Sequence, residues 1–147
     1  MKRLRRLLLL PAREKLLLAQ SLFLVILIRF GLSIFPFRWI DRWLGVFAAP
    51  VDDHNRETNW NLVKSIVRVV RASSRYVPYA SCLTQALAAR VLLRMAGQSS
   101  HLKIGVERGS DNKFGAHSWV EVDGRVVIGK LPDHRRFSVL ESNSAVI

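Results

Sequence analysis

The sequence predicts an α+β domain in which helices, one of them beginning at a cysteine, pack on an antiparallel sheet behind hydrophobic, basic N-terminal helices. Three observations carry that prediction. Residues 101–107, 114–122 and 125–128 read as strands, and Asp123-Gly124 between the last two is a strong hairpin signal. Residues 57–73 and 82–96 place apolar side chains at helical spacing. The 147 residues are 50% apolar and 23% charged, which is too apolar for a disordered chain and long enough for one core. Eight glycines and five prolines exclude collagen-like and low-complexity classes. One cysteine excludes an internal disulfide framework and a cysteine-based zinc site, and it fits a reducing cytoplasm. No metal or cofactor is expected.

The first third is both the most basic and the most hydrophobic part. Residues 1–50 carry nine Lys/Arg against two acids, a net of +7; the other 97 carry 14 against nine, a net of +5. The total of +12 asks for an anionic partner. Leu16–Ile28 is uncharged for 13 residues before Arg29 interrupts it. A membrane span needs about 20 apolar residues, and extending this one through Phe37 buries Arg29 at a cost of a few kcal/mol. No small-x-small pattern follows the run, which argues against a cleaved signal. The expectation is a helix buried against the fold or a partner, in a cytoplasmic protein, with peripheral contact to anionic lipid as a variant.

Phe35-Pro36-Phe37 ends that segment. Arg38–Phe47 predicts a short helix with Trp39, Trp43 and Phe47 on one face, read as a core stripe. Ala48–Asn55 has the composition of a loop. The division expected is therefore a hydrophobic, basic helical region over 1–55, part of or docked on the same domain, and a core over 56–147. Glu57–Ser73 predicts an amphipathic helix burying Leu62, Val63, Ile66, Val67, Val69 and Val70. Lys64, Arg68, Arg71 and Arg75 make a basic stripe opposite, expected as a solvated face, with an acidic partner as the alternative.

Chemistry concentrates between Tyr79 and Lys130. Ser81 suits an N-cap, Cys82 takes the first position of the helix, and Gly97 stops it. A thiol there faces unpaired backbone N–H groups and the positive end of the helix dipole, which stabilise negative charge on sulfur. On the second strand, alternation puts His117, Trp119 and Glu121 on one face and Ser118, Val120 and Val122 on the other. A cysteine nucleophile needs an imidazole as base toward the thiol and acid toward the leaving amine, and His117 can supply it.

The segments PYASCLTQALAARVLLRMAG, HLKIGV and FGAHSWVEVDGRVVIG together resemble the leader peptidases of lasso peptide biosynthesis, in their stand-alone B-protein form. The basic, leucine-rich opening MKRLRRLLLLPAREKLLLAQ is similar to that form as well. The resemblance implies a transglutaminase-like, papain-like fold and a cysteine protease that cuts the leader from a lasso precursor. It also implies a separate PqqD-like leader-recognition protein, and an ATP-dependent cyclase that acts afterwards. Carried over, Cys82 matches the nucleophile and His117 the general base. The family's third member is an acid about twelve residues past the histidine, where this chain has Gly129. Asp123 sits at the turn, roughly 20 Å from His117 at about 3.3 Å per residue. A regular hairpin sets His117 opposite Lys130, which leaves Asp133 as the nearest acid. Asp133 is accordingly the candidate third residue; failing that, a backbone carbonyl or polar side chain orients the imidazole. Two other readings stay open. A transglutaminase-type acyl transferase uses the same pair with an amine in place of water. A non-catalytic basic module that binds a membrane or partner explains the charge but not Cys82 and His117. Nucleic acid is not among the expected partners.

Overall fold

A computed structural model describes residues 11–47, 57–108, 114–132 and 137–140. The expected loop at 48–55, most of the turn cluster at 108–112, and Asp133 lie outside the described residues. Among the described residues four helices precede a sheet: α1 (Ala12–Ile34), α2 (Phe37–Phe47), α3 (Trp60–Ser74) and α4 (Cys82–Met95). The strands are β1 (His101–Arg108), β2 (Phe114–Val122), β3 (Arg125–Ile128) and β4 (Ser138–Leu140). All neighbours are antiparallel, in the order β3-β2-β1-β4. The fold is α+β, as predicted.

Local chemistry accounts for the boundaries. Asn59 starts α3 by accepting the Leu62 N–H on its side chain at 3.1 Å, three residues later than the apolar pattern suggests. Asp123 and Gly124 join β2 to β3 with φ of 48° and 69°, the left-handed pair of a type I′ turn. Tyr79, with φ 59°, redirects the chain between α3 and α4. β4 has no signature in the sequence: Ser138–Leu140 is three residues with no alternation to read, and only its pairing with Ile104–Val106 makes it a strand.

One core lies between the helices and one face of the sheet. Val25 and Ile28 of α1, Val63, Ile66 and Val70 of α3, and Ala86, Leu87 and Leu93 of α4 meet Leu102, Val120, Val122 and Ile128. α4 carries eight buried residues and lies against β2, which fixes its axis on the sheet. Arg90 of α4 ties α2 to this core through Asp41 at 2.6 Å. Burial, then the neighbouring Arg90, lower the pKa of Arg94 on the next turn, while Asp41 opposes both.

Two expectations are corrected. Trp39 and Trp43 are not core; they are 62% and 63% exposed. α2 instead turns Ile40 inward, with Phe37 and Leu44 packed beside it, because that stripe meets the core while the tryptophan stripe looks past it. The regular hairpin register is also wrong. Val122 pairs with Arg125 and Glu121 with Val126, but a bulge then pairs Val120 with Ile128. β3 ends there, so Lys130 does not stand opposite His117 in the ladder.

Candidate active site

Cys82 is the first residue of α4. Ser81 caps the helix: its Oγ accepts from Thr84 N–H at 3.3 Å and lies 3.1 Å from Thr84 Oγ1, while its carbonyl accepts from Gln85 N–H. Thr84 is fully buried, so the cap is anchored in the core. The cap uses the third N–H of the turn and leaves those of Cys82 and Leu83 to whatever sits at the helix end. Cys82 is a free thiol, half-buried.

His117 lies near the start of β2, half-buried, opposite Gly105 of β1. Its face is the one away from the core. There the ring stacks on Trp119 at 6.1 Å between centroids and tilts against Phe137 at 5.7 Å. Trp119 is itself held by a 2.8 Å bond from Nε1–H to Glu121 Oε1. The alternation read from the sequence is therefore present, with Ser118, Val120 and Val122 on the buried side.

The most informative contact is His117 Nε2 to the Gly129 carbonyl, 2.7 Å. A carbonyl only accepts, so Nε2 donates the hydrogen, and in the neutral ring Nδ1 is then the nitrogen with the lone pair. That is the tautomer a base needs if Nδ1 is to take the thiol proton. Gly129 has φ 75°, and a Cβ there would lie 2.6 Å from the Ser118 carbonyl and 2.9 Å from Trp119 Cβ. The bulge and the bare backbone of Gly129 thus press a carbonyl against β2 at the sequence position where the resemblance calls for an acid. Asp133 lies outside the described residues.

Cys82 begins the helix that packs on the core face of the sheet, whereas His117 stands on the opposite face of β2, near the start of that strand. Gln98 beyond α4 accepts from Asn59 N–H at 2.9 Å, and Trp60 beside it lies 5.1 Å from the Arg125 guanidinium at the start of β3. The end of α4 and the β2–β3 turn are therefore neighbours. Cys82 stands about 20 Å back along α4, and His117 about 17 Å back along β2. Among the described residues no hydrogen bond joins Cys82 to His117. No group of three or more His, Cys, Asp or Glu able to hold a metal occurs among the described residues.

A family profile described as the transglutaminase-like superfamily matches residues 24–142, most of the chain. The chain belongs to the transglutaminase-like superfamily. The match spans both Cys82 and His117 and begins inside α1, so the superfamily fold takes in part of the hydrophobic N-terminal third. No curated protein and no solved structure matches the chain. Superfamily membership fits cysteine hydrolase or acyl-transfer chemistry.

Proposed function

We propose that this transglutaminase-like chain is a cytoplasmic cysteine peptidase that removes the leader from a lasso peptide precursor, with Cys82 as nucleophile and His117 as general base and acid. The observation that carries the chemistry is the 2.7 Å bond from His117 Nε2–H to the Gly129 carbonyl, on a strand that lies against the Cys82 helix. It leaves Nδ1 as the basic nitrogen. The substrate assignment rests on the resemblance of the Cys82 and His117 segments to lasso leader peptidases.

Nδ1 takes the Cys82 proton, and the thiolate adds to the scissile carbonyl. The Cys82 N–H, one of those the cap leaves unused, is the donor nearest the developing oxyanion. When the tetrahedral adduct collapses, the C–N bond breaks and Nδ1–H gives its proton to the leaving amine. Water, losing a proton to Nδ1, then cleaves the thioester, releasing the leader acid and restoring the thiol. A PqqD-like protein delivers the leader in this scheme, and the ATP-dependent cyclase takes the freed core peptide. An amine in place of water would make the same thioester an acyl-transfer intermediate. Incubating the chain and a PqqD-like partner with a precursor, and weighing the products, separates the two: hydrolysis gives fragments whose masses sum to precursor plus one water.

A further inference from the structure

The N-terminal helices present a surface that the chain does not cover. On α1, Leu16, Gln20, Phe23, Leu27, Phe30 and Ile34 recur at steps of four, three, four, three and four, so they line one face, and all six are exposed. Phe23 and Phe30 are each 67% exposed. Across the α1–α2 bend this face continues through Phe35 to the exposed Trp39 and Trp43. Between the two helices and the last turns of α4 lies a cleft of about 720 Å³ with an almost wholly apolar lining. An apolar patch of this extent on a small domain marks an interaction surface.

Its charge identifies the occupant. Exposed Arg38 and Arg42 form the next stripe on α2 beside the tryptophans, and exposed Arg13 and Lys15 stand at the start of α1. Only two acids, Glu14 and Asp41, fall within residues 11–47, and Asp41 is engaged by Arg90. An aromatic face bordered by cations complements an anionic bilayer surface. Self-association is the poorer match, because two copies would bring the α1–α2 regions face to face, each with five basic and two acidic residues over 11–47, a net of +3. α1 is long and apolar enough to span a membrane, yet Ser21, Val25 and Ile28 on its other side are buried in the domain core. Spanning would strip α1 from that core.

We propose that α1 and α2 form an in-plane anchor, with the Phe23–Trp43 face seated in the interface of an anionic membrane and Arg38 and Arg42 at its headgroups. The test uses the full chain with phosphatidylcholine vesicles, with or without phosphatidylglycerol. The protein is expected to co-sediment at least about tenfold more strongly with phosphatidylglycerol present, and less so as salt rises. Arg38→Gln with Arg42→Gln should weaken that binding roughly thirtyfold. Brominated lipid should quench the tryptophan emission, and Trp39→Phe with Trp43→Phe should remove the quenching, since of the other two tryptophans Trp119 is buried and Trp60 is half-buried against Arg125. These positions are exposed, and thermal unfolding checks that the variants stay folded. The proposal is overturned if phosphatidylglycerol vesicles do not bind the chain, or if binding and quenching survive both double substitutions. A stable dimer in lipid-free solution that Phe23→Ser with Leu27→Ser dissociates would also overturn it, giving the face to a second copy.

Discussion

Three groups carry the proposed chemistry: the Cys82 thiol, the His117 imidazole and the Gly129 carbonyl. Cys82→Ala should abolish leader release, and Cys82→Ser should be nearly as severe, because a hydroxyl is far less acidic than a thiol. Removing His117 as acid and base should cost about 10²–10⁴-fold in kcat. Gly129 makes a sharper prediction. Any side chain there meets the Ser118 carbonyl, in a backbone conformation that disfavours L residues. Gly129→Ala should cost about 1–3 kcal/mol in stability and lower cleavage by displacing the carbonyl that holds Nε2. Gly129→Asp should not recreate an acid-containing triad; it should be worse than Gly129→Ala in both denaturant melts and cleavage. Asp133→Ala distinguishes the two orienting groups. Cleavage within about tenfold of wild type assigns the role to the carbonyl, and a loss of order 10²-fold assigns it to Asp133.

At the scale of elements, the helix containing Cys82 is held by tight packing and one polar tie. Leu87→Ala in α4 should destabilise by about 2–5 kcal/mol, since Leu87 is fully buried in the core cluster. Asp41→Asn should cost about 1–3 kcal/mol by thermal unfolding, because it leaves Arg90 and the half-buried Arg94 beside each other without their shared carboxylate. Most element boundaries were legible in the sequence because each has a local cause: Ser81 as cap, Asp123-Gly124 as turn, period-two alternation in β2. What was not legible has non-local causes. The bulge at Val120/Glu121 shifts the register of β3, and Gly129 packs closely against Trp119, so a carbonyl rather than a side chain meets the imidazole. β4 exists only through β1. The tryptophan stripe of α2 is exposed although its spacing suggests core, because periodicity reports which residues share a face, not which face turns inward.

For the whole molecule, a superfamily fold matched over residues 24–142 carries a thiol at a helix start and an imidazole on the adjoining strand. The charge is spread so that the N-terminal third is the most cationic part. The central claim is thiol-dependent hydrolysis of a leader, and the most direct measurement is the product mass spectrum of a lasso precursor incubated with the chain and a PqqD-like partner, for wild type and Cys82→Ala side by side. Wild type should yield a leader and a core peptide summing to precursor plus one water, and Cys82→Ala should yield neither. Cleavage retained by Cys82→Ala, or an amine-linked product from wild type, would contradict the account.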